Sequence, residues 1–163
     1  MKIRKASNTD KENILRLHIE SIKILCSKHY TREQLNSWTS VLTPSVYDQA
    51  LQEKEFLIAY ESQENFLGMG ILDIKNAEVS AIYVHPDAAG RGVGTELLNE
   101  LEHLARNSNV HMISVRSTLN AKDFYAVHGY IERELTVHKL PNGSKLECVR
   151  MLKDLSTGAE HRC

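Results

Sequence analysis

The feature that most constrains this chain is a run of three glycines, Gly90, Gly92 and Gly94, set between a β-forming stretch and an amphipathic helical pattern. The β-forming stretch covers residues 79–84, and the leucines after the glycines recur at helical spacing over 97–104. Glycines in such a loop let successive main-chain N–H groups approach an anion, and the following helix adds the partial positive charge of its N-terminus. The stretch therefore predicts a site for a phosphate or a pyrophosphate.

Two common phosphate-binding templates do not fit the spacing of these glycines. A Walker loop requires a lysine directly after its last glycine, but Thr95 follows Gly94. A dinucleotide fingerprint requires G-x-G-x-x-G, and counting from Gly90 or Gly92 puts Thr95 or Leu97 at the last position. The spacing thus excludes both templates.

The G-R-G-V-G loop, the strand before it and a second block downstream resemble the acyl-CoA-binding motifs of the GNAT superfamily of N-acetyltransferases. The first block is the strand end I-Y-V-x-P with its glycine loop, and the second is N-A-x-x-F-Y-x-x-x-G-Y over residues 120–130. In element order the resemblance covers about residues 1–153. Ala89 departs from the family pattern, which usually has Gln or Arg there. Because the loop acts mainly through N–H groups, Ala89 should remove few phosphate contacts.

The periodicity of the chain predicts the element order βααβββαβαββ and therefore an α/β fold with a mixed sheet. An amphipathic helix is expected over about residues 10–27, and the capping box Thr31–Gln34 opens a second, short helix. Residues 41–52 are predicted to form a loop with one helical turn. Gly68 and Gly70, inside a predicted strand, indicate a bulge or a close backbone approach. The resemblance further implies a mostly antiparallel central sheet with splayed strands, flanked by helices.

Length and charge limit the classes of function. With 163 residues we expect one domain, placed at residues 1–153, followed by a polar tail over 154–163. The net charge of −1 gives no basis for binding nucleic acid or an anionic membrane. No basic-then-apolar leader and no apolar run of transmembrane length is visible, so we expect a cytoplasmic protein.

Metal binding is not expected. The three cysteines, Cys26, Cys148 and Cys163, are odd in number and far apart, which predicts reduced thiols and no disulfide framework or zinc cluster. The histidines lack the spacings of metal-ligand motifs.

The resemblance implies acetyl-CoA as cosubstrate. The residues that it assigns to binding are Ile82, Tyr83, Val84, Ala89, Gly90, Arg91, Gly92, Val93, Gly94, Thr95 and Asn120. In the family, the N–H of Ile82 polarises the acetyl carbonyl, Val84 pairs with the pantetheine amides, and Asn120 hydrogen-bonds the pantetheine arm. Two alternatives remain open: Asn120 also fits an N-cap of the short helix that Gly129 ends, and Arg91 fits either a phosphate partner or a solvated side chain.

Two residues are candidates for proton transfer. In the family, the position of Glu78 often holds the general base and that of Tyr125 the acid that protonates the leaving thiolate. A free carboxyl has a pKa of about 4.3, so Glu78 needs burial or a relay water to accept a proton from an amine. It also fits a solvated strand end, with Glu134 or Asp73 as fallbacks, and Tyr125 also fits a core aromatic.

The acceptor is expected to be a small-molecule amine. Tyr30 and Trp38 lie where the family has one wall of its acceptor cleft, although Trp38 equally fits core packing. The main hypothesis is an acetyl-CoA-dependent N-acetyltransferase that works by direct attack in a ternary complex. The alternatives are an acyl-CoA sensor without turnover and a protein-lysine or N-terminal acetyltransferase. Edge strands near the C-terminal hairpin also suggest a homodimer.

Overall fold

A computed structural model describes residues 1–156, while residues 157–163, including Cys163, lie outside the described part. Within the described part, seven strands form one sheet in the order β1-β2-β3-β4-β5-β7-β6. The strands are β1 (Lys2–Lys5), β2 (Glu55–Ser62), β3 (Asn65–Asp73), β4 (Glu78–Val84), β5 (Met112–Thr118), β6 (Ile131–Lys139) and β7 (Lys145–Asp154). Neighbours are antiparallel except β4 and β5, which are parallel. The predicted mixed, mostly antiparallel sheet is confirmed.

Helices cover both faces of this sheet. They are α1 (Lys11–Leu25), α2 (Arg32–Ser40), α3 (Asp48–Glu53), α4 (Val93–Asn107) and α5 (Lys122–Val127). Side chains alternate between the two faces along a strand. On β2, Leu57 and Ala59 pack in one core with the leucines of α4, and Phe56 and Ile58 pack in another with Ile14 of α1. The sheet therefore separates a core under α4 from a core under α1.

The predicted start of α2 is confirmed, but α3 was missed. Thr31 Oγ1 accepts a hydrogen bond from the N–H of Gln34 over 3.1 Å, and Gln34 Oε1 accepts one from the N–H of Thr31 over 2.8 Å. Residues 41–52, predicted as a loop with one turn, instead contain a 3-10 turn over Pro44–Tyr47 that leads directly into α3. Because no residue of α3 is buried, no apolar periodicity marks this helix in the sequence.

Gly68 and Gly70 let α4 lie directly on β3. A Cβ atom added at Gly68 would lie 2.9 Å from Val93 Cγ1, and one at Gly70 would lie 3.1 Å from Leu101 Cδ1. The close approach predicted for these glycines is thus present, and its partner is α4. Since Val93 is the first residue of α4, Gly68 helps to fix the end of the glycine loop.

β4 and β5 diverge after a very short contact. Within the described residues they pair only through Glu78 with Ser114 and Val79 with Val115. The pairing of β4 with β3 shifts register in the same region and leaves Ser80 without a partner, as in a β-bulge. The predicted splay of the central strands is therefore located just after Val79.

Two further predictions need correction. Asn120 does not cap α5: the N-cap is Ala121, and it makes no side-chain capping bond. The domain boundary predicted at residue 153 is also too early, because β7 includes Asp154, and Leu155 is buried and donates its N–H to the carbonyl of His111 over 2.7 Å. Within residues 1–156, no helix has the length and apolar character needed to span a membrane.

Candidate active site

The segment from Gly90 to Thr95, which ends the glycine loop and begins α4, leaves five of its six N–H groups free within the described residues. Gly90 and Gly92 have φ angles of 78° and 83°, in the left-handed region that glycine enters at low cost. The N–H of Arg91 donates to the carbonyl of Ala88 over 3.3 Å. Within residues 1–156, no hydrogen bond is donated by the N–H groups of Gly90, Gly92, Val93, Gly94 and Thr95. Free donors at the start of a long helix form an arrangement that binds anions.

A cavity of about 630 Å³, here named the loop cavity, adjoins these donors. Its volume lies within the range of about 300–1,000 Å³ that is common for ligand pockets. The predicted cosubstrate residues that line it are Ile82, Tyr83, Val84, Ala89, Gly90, Gly92, Val93, Gly94, Thr95 and Asn120. Arg91 does not line it; its Nη2 lies 2.7 Å from Oε1 of Glu61 in an exposed ion pair. The sequence prediction and the cavity thus coincide except at Arg91.

Asn120 presents an unused acceptor in the loop cavity. Its Oδ1 is buried and has no hydrogen-bond partner in the described part of the chain. An unsatisfied buried acceptor costs about 1–3 kcal/mol, so a ligand that donates to it gains correspondingly. The neighbouring thiol of Cys26 is buried, and burial raises its pKa to about 12 against a smaller lowering by the contact with Asn120. Cys26 is therefore a protonated thiol, unsuited to act as a nucleophile at neutral pH.

The Tyr125 hydroxyl also faces this space. Tyr125 lines the loop cavity, is 4% exposed, and makes no hydrogen bond through its hydroxyl within residues 1–156. Burial raises the pKa of this phenol, so it remains protonated across the physiological range. Tyr125 thus belongs to the core, as one interpretation held, and still presents a proton donor to the cavity.

The bulge at Ser80 directs main-chain groups of β4 into the gap between β4 and β5. The N–H of His85 donates to Leu67 of β3 over 2.8 Å. Because N–H groups alternate in direction along a strand, those of Tyr83 and Ala81 also point toward β3. Those of Ile82 and Val84 point the opposite way, toward the gap. The two residues predicted to act through their backbones therefore present free donors there.

The proposed base, Glu78, lies at the closed end of the gap. Its Oε1 is 3.7 Å from Arg116 Nη2, and its side chain is 27% exposed. Glu78 is not among the residues that line the loop cavity, the gap or the cleft described next. The fallbacks lie outside these cavities too: Glu134 pairs with Arg150 at 3.6 Å, and Asp73 accepts hydrogen bonds from Asn76. The base assignment therefore stays a prediction that requires a relay water.

A second cavity of about 320 Å³, here named the aromatic cleft, lies between α1, α2 and the C-terminal hairpin. Tyr30 and Trp38 line it as predicted, with ring centroids 5.7 Å apart, and both are buried. The Tyr30 hydroxyl is occupied, since it donates to the carbonyl of Glu147 over 2.6 Å and accepts from the N–H of Leu119 over 3.1 Å. Tyr30 and Trp38 therefore offer apolar surface to a ligand.

The aromatic cleft also contains polar residues that sequence reasoning missed. They are His18 from α1, Arg116 from β5 and His138 from β6. Their positions in the sequence share no motif, and only the pairing of β5, β6 and β7 and the packing of α1 bring them together. Charged or polar residues inside predicted core elements were the available signal.

The loop cavity and the aromatic cleft meet at the gap between β4 and β5. A small space of about 30 Å³ there is lined by Ile82 and Tyr125, which also line the loop cavity, and by Ser80 and Arg116, which also line the cleft. Tyr83 lines all three. Two ligands, one in the loop cavity and one in the aromatic cleft, can thus meet between the splayed strands. Among the described residues, no three His, Cys, Asp or Glu side chains gather in a way that could hold a metal ion.

Comparison with known proteins agrees with this geometry. A family model described as an acetyltransferase (GNAT) domain matches residues 26–151. A GCN5-related N-acetyltransferase from Rhodopseudomonas palustris has 28% sequence identity and a TM-score of 0.87, with 94% of each chain covered. The PaiA N-acetyltransferase from Thermoplasma acidophilum, in complex with coenzyme A, has 21% identity and a TM-score of 0.72, with 94% of this chain and 98% of that one covered.

A third similar structure is YncA from Salmonella typhimurium with its cofactor acetyl-CoA. It has 20% identity and a TM-score of 0.66, with 99% of this chain and 96% of that one covered. At such identities these last two structures show a shared fold. The family model, however, spans most of the chain, and the chain therefore belongs to the GNAT acetyltransferase family.

Proposed function

We propose that this protein transfers the acetyl group of acetyl-CoA to the primary amine of a small molecule, by direct attack in a ternary complex. The observation that carries the proposal is the meeting of the loop cavity and the aromatic cleft at the gap between β4 and β5. An amine in the cleft and a thioester in the loop cavity can there react without a covalent enzyme intermediate. The family membership and the coenzyme-bound neighbours support the choice of cosubstrate.

The residues of the loop cavity fit acetyl-CoA. The free N–H groups from Gly90 to Thr95 suit its diphosphate, and the unpaired Oδ1 of Asn120 suits an amide N–H of its pantetheine arm. The N–H of Val84, which points into the gap, suits a pantetheine carbonyl. When bound, acetyl-CoA supplies an activated acyl group, and the side chains and N–H groups of the protein orient that group.

Proton transfer is assigned to two residues. As the new C–N bond forms, the N–H of Ile82 donates to the acetyl carbonyl oxygen, where negative charge develops. Glu78 accepts the proton of the amine through a water, and Tyr125 donates its proton to the sulfur as the C–S bond breaks. Burial raises the pKa of Tyr125, so the phenol still carries its proton when the thiolate forms. Cys26 takes no part, because its thiol remains protonated.

The proposal is tested by following CoA-thiol release from acetyl-CoA with a library of amines. We expect steady release with some small amines. Acetyl-CoA binding without release across a broad library would instead favour the acyl-CoA sensor. Release with peptides only would favour a protein acetyltransferase. The volume of the aromatic cleft, about 320 Å³, is close to the lower end for ligand pockets and supports a small acceptor.

A homodimer stays a prediction. β6 is an edge strand of the sheet and carries exposed apolar side chains at Ile131, Leu135 and Val137. Pairing of two such edges would cover them. Light scattering of the purified protein measures its mass directly, and a monomer at micromolar concentration would contradict the prediction.

A further inference from the structure

The aromatic cleft has a one-sided polar lining. Its polar residues supply hydrogen-bond donors and positive charge, through His18, Arg116 and His138. Among the described residues that line it, none is an aspartate or a glutamate. A positively charged ligand such as a polyamine would therefore find no carboxylate partner in this cleft.

His18 presents a ring nitrogen without a hydrogen-bond partner in the cleft. It is 9% exposed, its ring centroid lies 4.3 Å from that of Tyr83, and its Nδ1 is 2.9 Å from the hydroxyl of Tyr47. Burial lowers its pKa to about 3, so the ring is neutral. Within residues 1–156 the Tyr47 hydroxyl has no other partner, and in the tautomer in which this hydroxyl donates to Nδ1 the ring proton of His18 lies on Nε2. This Nε2 is buried without a partner.

Arg116 adds a cation at the mouth of the gap. Its side chain is 50% exposed, and its contact with Glu78, at 3.7 Å, is longer than a hydrogen bond. Arg116 thus forms a long ion pair with Glu78, and within residues 1–156 its guanidinium donates no hydrogen bond, so its fork can also pair with a planar anion through two parallel hydrogen bonds, as arginine does with carboxylates. Burial and, to a smaller extent, the nearby charge of Arg116 lower the pKa of His138, so at neutral pH the positive charge of the cleft is that of Arg116.

The remaining walls are apolar. Trp38, Leu42 and Leu140 line the cleft, and Tyr83 closes it toward the gap. Such walls suit an aliphatic or aromatic body. A cation next to the reacting amine also has a chemical effect, because a nearby like charge disfavours the ammonium form and favours the neutral amine that attacks.

We propose that the acceptor is an amine that also carries a carboxylate and an apolar body, as an apolar amino acid does, and that Arg116 and His18 bind its carboxylate. This inference rests on the proposed function and names the substrate class of the aromatic cleft. Arg116 pairs with the carboxylate through its fork, and Nε2–H of His18 donates to one of its oxygens. The amine is then held near the gap, where Ile82 and Tyr125 act.

The experiment compares acceptors that differ only in the carboxylate. Phenylalanine is paired with phenethylamine and leucine with 3-methylbutylamine, and thiol release from acetyl-CoA is followed. We expect kcat/KM to be at least about 10-fold higher for the amino acid of each pair, since one charge-assisted hydrogen bond contributes about 1.5–3 kcal/mol. Equal or better turnover of the amines that lack a carboxylate would overturn the inference.

Variants identify the binding residues. Arg116→Gln should raise KM for the amino acid about 10-fold or more and leave KM for acetyl-CoA unchanged, and Arg116→Lys should give an intermediate value, because lysine keeps the charge without the fork. His18→Phe, which keeps an aromatic ring on Tyr83, should give a smaller rise. Arg150→Gln is the matched control: Arg150 of β7 is the strand-pairing partner of Arg116 on β5 but lines no part of the cleft. An unchanged preference in Arg116→Gln would contradict the assignment.

A binding measurement separates this inference from the proposed transfer reaction. If no amine gives turnover, calorimetry with phenylalanine and CoA on the wild-type protein still tests the cleft. Binding that is lost in Arg116→Gln and kept in Arg150→Gln supports the inference although the transfer proposal fails. Absence of binding to the wild-type protein overturns it.

Discussion

The loop cavity and the aromatic cleft flank the same gap in the sheet but are built from different parts of the chain. The loop cavity takes its donors from main-chain N–H groups of one continuous segment, residues 82–95. The aromatic cleft takes its polar groups from side chains of α1, β5 and β6, which are far apart in the sequence. A backbone site should tolerate side-chain changes, as we expect for Ala89, whereas substitutions at a side-chain site should change specificity. We therefore expect mutations in the loop cavity to change acetyl-CoA binding, and mutations in the aromatic cleft to change acceptor binding.

The largest expected effect is at Gly92, which is the N-cap residue of α4 and has a φ of 83°. The glycine loop requires both this position and this backbone conformation. Gly92→Asp places a side chain in the left-handed region, at about 1–2 kcal/mol, and a negative charge beside the anion site. We expect calorimetry to show no acetyl-CoA binding, while binding of an amino acid at the site proposed in the cleft is retained.

Gly143→Asp is the matched control for this variant. Gly143, in the turn between β6 and β7, has a φ of 87° and so the same backbone strain, but it lines neither cavity. If both variants lost acetyl-CoA binding equally, general destabilisation would explain the result and the loop would lose its special role.

The next effect concerns Tyr125, the proposed proton donor, which lines the gap where the two cavities meet. Tyr125→Phe removes the proton donor and keeps the ring, so kcat should fall about 100-fold, with little change in KM for acetyl-CoA or for the acceptor. Steady-state kinetics at several pH values measures this. Tyr130→Phe is the control, because the Tyr130 hydroxyl donates to Glu102 over 3.0 Å in the core and does not line the loop cavity. Full turnover of Tyr125→Phe at every pH would exclude the acid role.

A smaller effect should appear in the stability of the folded protein, and it should come from His18 in the aromatic cleft. The pKa of His18 is lowered from 6.5 to about 3 in the folded state, so the unfolded chain binds more protons between these values. Stability is therefore complete above pH 6.5 and is lost as pH falls below it, by about 2 kcal/mol at pH 5 for this residue.

Urea unfolding at pH 7.5 and at pH 5 checks this dependence. His18→Gln should lose about 2 kcal/mol less than the wild type between the two pH values. His103→Gln, on the exposed surface of α4, should behave like the wild type. The same acid loss in His18→Gln would mean that the ring is not buried in its neutral form.

The smallest expected effect is at Arg91. Its exposed ion pair with Glu61 resembles surface pairs, which contribute about 0–1 kcal/mol. Arg91→Ala should therefore raise KM for acetyl-CoA by less than about fivefold, with Glu61→Ala as the partner variant. A loss of acetyl-CoA binding as large as that of Gly92→Asp would show that the Arg91 side chain dominates binding at the loop. The contrast between a backbone site in the loop cavity and a side-chain site in the aromatic cleft would then be wrong.

The difference between the two sides also decides what the sequence could predict. The glycine loop, β4 and Tyr125 lie in segments with local patterns, so their positions around one cavity were expected. Asn120 lines the loop cavity together with the glycine loop, but its predicted capping role was wrong, because α5 begins after Ala121. Local sequence preference does not fix whether Asn120 or the next residue, Ala121, is the N-cap residue of α5.

The aromatic cleft could be predicted only through Tyr30 and Trp38. Arg116 and His138 come together through pairing of β5, β7 and β6, and His18 reaches them by packing of α1 on β4. Such contacts depend on strand order and on register, where a shift of one residue turns every side chain to the other face. The bulge at Ser80, which directs Ile82 into the gap, likewise leaves no clear signal in the sequence.

The brief contact between β4 and β5 has a mechanical consequence. In the described part of the chain, the β1–β4 half of the sheet joins the β5–β7 half through a short backbone pairing, which comprises Glu78 and Val79 and the hydrogen bond from the N–H of Ser114 to the carbonyl of Ala77. A molecule that hydrogen-bonds to both strands in the gap replaces the missing strand pairing. Its binding free energy then stabilises the contact between the two halves of the sheet. We therefore expect the two halves of the sheet to move less relative to each other when such a molecule is bound. A ligand in one cavity then also changes the shape of the other cavity.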